Sequence, residues 1–195
     1  MFRFLRRLAG AINRRMGFSL QRTNLYRIAR LDGWSASTDD KKLKWEPLAP
    51  ERIDCLLEIG PFEVSEGLER LRRGDQCYTV SLEGRLAHYS WVQRSGSHPM
   101  TEAGTSVPVA GGEFWIYHCR TAEWARGRGI YPATLIRIVL DHFEAGYSTA
   151  WIYTTRENIA SQKGLLRAGF GLVATLDALR VGSHYYRLGR ANQGQ

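Results

Sequence analysis

The stretch WARGRGIYPATLIRIVL, residues 124–140, sets two arginines and two glycines directly before a long apolar run. Glycine at 127 and 129 permits left-handed dihedrals and leaves no Cβ between the backbone and an approaching ligand. A helix starting near Tyr131 has first-turn N–H groups without intrahelical partners, and its dipole favours negative charge there. These features suit a phosphate or pyrophosphate, and they equally suit a plain turn before a buried helix. Pro132 fits the first helical turn while removing one donor. Two familiar phosphate motifs do not fit. The dinucleotide fingerprint needs a third glycine, where this chain has Pro132, and a P-loop needs Gly-Lys-Ser/Thr, which does not follow. Near this loop stand further groups able to do chemistry: Glu113, His118, Cys119, Glu123, Tyr131 and Ser161.

The elements that must position them are legible from periodicity. LKWEPL reads as a strand and APERIDCLLEI as a helix with Pro50 in its first turn. VSEGLERLRRGD carries Val64, Leu68 and Leu71 at helical spacing and stops at Gly74. QCYTVSLEG and RLAHYSWVQR are two strands joined by the turn signal Glu83-Gly84, an antiparallel hairpin. Residues 94–112 lack periodicity and are rich in turn formers, a loop of unusual length for a compact domain and often a functional one. GEFWIYHCRT is a strand, residues 132–145 a helix apolar on most sides, and STAWIYTTR a strand. ENIASQKGLLRAGF is a short helix ending at Gly169, and FGLVATL and SHYYRLG are the last two strands.

With 195 residues and 44% hydrophobic content, the chain can bury one good core. Cys55, Cys77 and Cys119 are odd in number and lack metal-type spacing, which points to a reducing, cytoplasmic setting and to no metal site. The net charge of +8 is unevenly spread. Residues 1–31 hold eight arginines and no acid, and the rest balances at 19 bases against 19 acids. The basicity is therefore assigned to residues 1–41, a basic amphipathic extension and connector, ahead of a domain spanning 42–195. In residues 1–18, Phe2, Leu5, Leu8, Ala9, Ile12 and Met16 recur at helical spacing. Such a helix can lie on an anionic membrane surface at the inner face or pack on its own domain; its composition also matches a mitochondrial presequence. It is too short in apolar residues to span a bilayer. The neutral remainder argues against an extensive nucleic-acid surface.

The order of elements, with Arg126, Gly129 and Tyr131 standing in an Arg-x-x-Gly-x-(Gly/Ala) pattern between a strand and its helix, resembles the GNAT superfamily of acyl-CoA-dependent N-acyltransferases. NIASQKGLLRAGF resembles that family's Asn-x-x-Ser/Ala stretch closing in Gly-Phe, with Asn158, Ser161, Gly169 and Phe170 in register. The resemblance covers roughly residues 42–190. It implies an α/β (α+β) fold: a mixed, twisted, mostly antiparallel sheet whose fourth and fifth strands splay apart, flanked by helices. It further implies acetyl-CoA as co-substrate, its pyrophosphate cradled by the amides of Gly127, Arg128, Gly129, Ile130 and Tyr131 beside Arg126. The pantetheine would run along the end of the 113–121 strand at Cys119 and Thr121, with Asn158 and Ser161 opposite. This sequence departs from the pattern twice: Tyr131 replaces a small residue, and Leu165 stands where the family often has a thiolate-protonating tyrosine.

Transfer to an amine requires the amine to be neutral and the tetrahedral oxyanion to be stabilised. Glu113, His118 and Glu123 are the candidate bases, with Glu113 preferred for its family-like place. Tyr131, Ser161 and water are candidate replacements for the missing acid, and CoA thiolate is a good enough leaving group to depart without one. Cys119 could form an acyl intermediate, but direct transfer leaves it a core residue. Trp91, Trp115, Tyr117 and the SHYYR strand are expected to wall a pocket for a small-molecule or glycan amine, an amino sugar of a surface polysaccharide or glycolipid being one class. The other readings are a catalytically degenerate module that binds CoA or a partner protein, and a protein- or ribosome-associated acetyltransferase.

Overall fold

Phe18–Ala29 alternates in burial along its second half, with Tyr26 and Ile28 turned into the core and Arg27 into solvent. In the computed structural model, which describes residues 18–30 and 42–193, this segment is the first strand, β1. It is followed by β2 (Leu43–Pro47), a 3-10 segment (Pro50–Glu58), α1 (Val64–Arg72), β3 (Gln76–Leu82) and β4 (Arg85–Gln93). Next come β5 (Ser97–Met100), β6 (Thr105–Pro108), β7 (Glu113–Thr121), α2 (Ile130–Glu144), β8 (Thr149–Thr155), α3 (Ile159–Arg167), β9 (Gly171–Val181) and β10 (His184–Gln193).

Among the described residues, eight strands form one sheet in the order β10-β9-β1-β8-β7-β4-β3-β2, while β5 and β6 form a separate small hairpin. Every pairing in the large sheet is antiparallel except β7 with β8. That pair is in register only from Glu113–Trp115 against Thr149–Trp151. Beyond it, β7 stays with β4 and β8 stays with β1, so the two centre strands part. The expected mixed, mostly antiparallel sheet with splayed central strands is thus the observed one.

Helices α2 and α3 cover one face, burying Phe114, Ile116, Leu135, Ile138, Ile152, Leu165 and Phe170 together. The other face carries the 3-10 segment and α1 over Tyr89 and Trp91, and the β5–β6 hairpin with its connecting turn over Trp115 and Leu176. Strand β4 is buried on both faces from Ala87 to Gln93, which accounts for its lack of polar alternation. Its hairpin with β3 turns through Glu83 (φ 53°) and Gly84 (φ 80°), a two-residue turn of the twist-matched kind.

Three expectations change. The folded domain does not begin at residue 42: β1 lies between β8 and β9, so residues 18–30 belong to the sheet and Arg22, Arg27 and Arg30 to the domain. An isolated strand has no local signal that it pairs with segments 120 or more residues away. The helix expected over 49–59 is 3-10 in character, and the long loop contains a hairpin. The amphipathic segment within residues 1–17 and the connector at 31–41 lie outside the described residues.

Candidate active site

Where β7 and β8 part, a cavity of about 1110 Å³ passes through the sheet. On the α2/α3 side it is lined by Arg126, Gly127, Gly129, Ile130, Tyr131, Asn158, Ser161, Lys163, Gly164 and Arg167; on the α1/hairpin side by Glu66, Arg70, Arg73, His98, Glu102 and Tyr153. Between them runs the edge of β7 from Ile116 to Thr121. Among the described residues, six basic and two acidic side chains line the whole, a balance that suits a polyanionic ligand.

The glycine-arginine loop forms the exposed rim of the α2/α3 side. Gly127 (φ 76°) and Gly129 (φ 75°) both need the left-handed region, and a Cβ at either would meet nothing within 4 Å. Glycine is required here by backbone conformation, and the space above it is open to a ligand. Gly129 caps α2 with no side-chain hydrogen bond, so the first-turn amides keep their donors. Arg128 turns away, its guanidinium 5.9 Å from the ring centroid of Trp124, and does not line the cavity. Asn158 caps α3 through Ser161 N at 3.1 Å. Lys163 and Arg167, one turn apart on α3, bring charge that no motif announces.

Tyr131 reaches from α2 across Gly164 to hydrogen-bond Ser161 Oγ at 3.2 Å. Its ring occupies the place a Cβ at 164 would need, 2.5 Å from Tyr131 Cδ1. Burial raises its phenol pKa far above the usual value. Leu165 is fully buried in the core and offers the cavity nothing. The only hydroxyls on α2 and α3 in the cavity lining are therefore those of Tyr131 and Ser161.

A bulge interrupts the β4–β7 ladder between Tyr89 and Trp91, opposite His118 and Cys119. The extra residue of a bulge drops out of the ladder. It also turns Tyr117 and His118 to the same face, while Cys119 turns toward the opposite core. Burial lifts the Cys119 thiol to about 12. Beneath the bulge, His88 bonds Thr121 Oγ1 (2.8 Å) and Ser90 Oγ (2.7 Å), and burial holds its pKa at about 3.

His118 is placed at the cleft but not as a base. Its Nδ1 is bonded to Arg70 Nη1. Partial enclosure by Phe62 and Tyr89, then the Arg70 charge, lowers its pKa to about 4. Arg70 in turn bonds Glu66 at 2.5 Å and lies 5.2 Å from the ring centroids of both Trp91 and Tyr117. Glu113 is not brought to the cavity. It heads β7 at the closed end of the strand pair, where its carboxylate accepts from Trp151 Nε1 at 3.0 Å, five residues or about 16 Å along the strand from His118. Glu123 is exposed in the turn before the glycine loop and also lies outside the lining.

The acceptor side contains residues with no motif to announce them. Glu102 accepts from Tyr153 Oη at 3.0 Å. His98, 2% exposed, stacks on Trp115 with centroids 4.6 Å apart. Gln93 donates its amide N–H groups to Ser95 O and Ser97 O, leaving Oε1 to accept from His98 Nδ1 at 2.8 Å. His98 is therefore neutral with its proton on Nδ1, and burial keeps its pKa at about 4. Trp91 and Trp115 form the core beneath the chamber and do not wall it, and β10 packs beside the hairpin turn at Gly104 away from the lining. The unusual length of 94–112 was the available signal for His98 and Glu102; nothing in the sequence marks Glu66 and Arg70.

No family model matches this chain. Among curated proteins, subunit 5 of the Mediator of RNA polymerase II transcription from Aspergillus fumigatus is 24% identical over 186 residues, covering 85% of this chain and 17% of that protein. Among solved structures, the chain is similar to a GCN5-related N-acetyltransferase from Sphaerobacter thermophilus (TM-score 0.62, 13% identity, 95% of this chain and 57% of that one). A GNAT-family acetyltransferase from Colwellia psychrerythraea gives a TM-score of 0.60 at 14% identity, over 88% of this chain and 57% of that one. One from Novosphingobium aromaticivorans gives 0.56 at 21% identity, over 88% and 66%. The chain thus spans little more than half the length of the first of these. It has the fold of the GNAT acetyltransferases.

Proposed function

We propose that this chain is an acyl-CoA-dependent N-acyltransferase that takes acetyl-CoA as donor and transfers the acyl group directly to an amine. The observation that carries this reading is the cavity through the split sheet. At one end it has uncapped helix amides and basic side chains, at the other a chamber holding carboxylates, and a bulged strand edge lies between. The α2/α3 side fits the donor: Gly127 and Gly129 leave room for backbone amides to close on a pyrophosphate, and Arg126, Lys163 and Arg167 neutralise its charge.

The amine enters from the α1/hairpin side, where Glu102 presents a carboxylate to the cavity. Glu102, whose oxygen already accepts from Tyr153, takes the proton that the amine must lose, directly or through one water. The nitrogen lone pair then forms a bond to the thioester carbon, and the carbonyl electrons move onto oxygen. Collapse of that intermediate breaks the C–S bond while the nitrogen, cationic after its attack, releases its second proton to water, from which Tyr131 regains the proton it gives to sulfur. Tyr131 Oη, held by Ser161, supplies the proton to the departing sulfur from the opposite helix to the one that carries Leu165.

Within amines, an amino sugar is the class we favour. Tyr117 and Tyr153 give the chamber aromatic faces, and Arg73 and Glu102 offer hydrogen bonds to hydroxyls. A cytoplasmic protein whose residues 1–18 rest on the inner membrane face would meet such sugars on lipid carriers, and binding of the full chain to anionic vesicles tests that step. The decisive experiment is acetyl-CoA titration calorimetry together with thiol release against amino sugars, polyamines and peptides. Binding with amine-dependent release supports the enzyme, and binding without release assigns the chain to a CoA-binding module. Absence of binding to any acyl-CoA refutes both.

A further inference from the structure

The hydrogen-bonding chemistry at His118 fixes more than its position. An arginine guanidinium has only donors and keeps its charge in proteins. The nitrogen that faces Arg70 must therefore offer a lone pair, so Nδ1 is bare and the ring, being neutral, carries its proton on Nε2. Arg70 is not free to turn away. It is 7% exposed, tied to Glu66, and set against the faces of Trp91 and Tyr117. His118 itself has φ of 46°, left-handed backbone in a residue with a Cβ, a strained conformation that persists only where the surroundings impose it. The imposed conformation turns the imidazole out of the sheet at the bulge, into the cavity, where the strands part.

We infer that His118 serves acyl transfer as a neutral hydrogen-bond donor through Nε2–H, aimed at the carbonyl oxygen that becomes the oxyanion, with Arg70 and Glu66 as positioning residues that lock its tautomer. This role rests on the acyltransferase reading. As the amine nitrogen bonds to the thioester carbon, the carbonyl electron pair settles on oxygen and Nε2–H holds it. As the C–S bond breaks, that pair re-forms the carbonyl. His118 gains and loses no proton. The groups that face it are Glu66 and Arg70 of α1, Tyr89 of β4 and Arg120 of β7, and the two arginines oppose protonation of the ring across the neutral range. A base at this position would need a free lone pair toward the amine, and the only one is spent on Arg70.

The test uses the full chain with the best amine from the thiol-release panel. Nitrogen-15 NMR of the histidine rings at neutral pH should show His118 protonated on Nε2 alone; a proton on Nδ1 overturns the inference. His118→Leu should lower kcat at least about 100-fold with acetyl-CoA affinity within about twofold. His118→Gln keeps a donor and should retain activity to within about tenfold. Equal loss in both variants, or wild-type kcat in His118→Leu, overturns the donor role. Arg70→Met should release the tautomer and bring an acid limb into the pH profile, and Arg70→Lys should remove that limb again. A wild-type chain that binds acetyl-CoA but releases no thiol with any amine overturns the acyltransferase reading and this role with it, whereas the variant results bear on His118 alone.

Discussion

Gly164→Ala tests whether Tyr131 stands where the chemistry needs it. The new methyl would lie 2.5 Å from Tyr131 Cδ1 and 2.8 Å from Cε1, so the ring must move. Alanine is favoured over glycine in a helix by about 1 kcal/mol, and overpacking costs about 1–3 kcal/mol. The net expected loss is between about 0 and 2 kcal/mol, a fall in Tm of up to about 8 °C for a chain of this size. Activity should suffer more, because a displaced ring takes its hydroxyl off Ser161, 3.2 Å away. A misplacement of about 1 Å costs up to about 100-fold in rate. Thermal unfolding and amine-dependent thiol release measure the two effects separately. In a Tyr131→Ala background the steric term vanishes, and Gly164→Ala should become neutral or stabilising by up to about 1 kcal/mol. The same Tm change from Gly164→Ala in both backgrounds would refute the packing argument, and an unaltered kcat in the single variant would refute the role given to the Tyr131 hydroxyl.

Gly129→Ala forces left-handed backbone on a residue with a Cβ and should cost about 1–2 kcal/mol in thermal unfolding, with acetyl-CoA affinity falling at least tenfold in calorimetry; intact affinity would remove the loop from the donor site. Lys163→Ala and Arg167→Ala should each weaken acetyl-CoA binding about 3- to 10-fold at low salt and less at 0.5 M, since exposed charges are screened. His88 and His98 are held neutral by burial, at about 3 and about 4 against a usual 6.5, so the unfolded chain binds protons first as pH falls. Stability should hold above pH 6.5 and decline below it, by about 2 kcal/mol for each of these two histidines at pH 5, measurable as a fall in Tm that His98→Asn makes smaller. A flat Tm between pH 7 and 5 would contradict their neutral burial.

What was legible in the sequence were features whose cause is local. Gly127 and Gly129 are marked by the dihedrals they must adopt, the Glu83-Gly84 turn by its two positive φ values, and α2 by apolar residues on most sides. Asn158 is marked by its capping geometry. The order of these elements resembled a family, and the split sheet followed from that resemblance. β1 escaped because pairing with β8 and β9 leaves no trace in residues 18–29 alone, and their arginines drew them into a basic appendage. Glu113 looked catalytic by its place in the chain, yet it sits at the closed end of β7, because a strand carries its residues away from the cleft at about 3.3 Å each.

The sequence by itself determined the loop that can hold phosphate, the helix behind it and the strand beside it, since dihedral preference, capping and periodicity act over a few neighbours. Only the tertiary structure decided the protonation chemistry. It set Arg70 against His118 Nδ1, Gln93 against His98 Nδ1, and Tyr131 across Gly164, pairs 48, 5 and 33 positions apart. A tautomer depends on which donor or acceptor faces each nitrogen, and that is fixed by packing between elements.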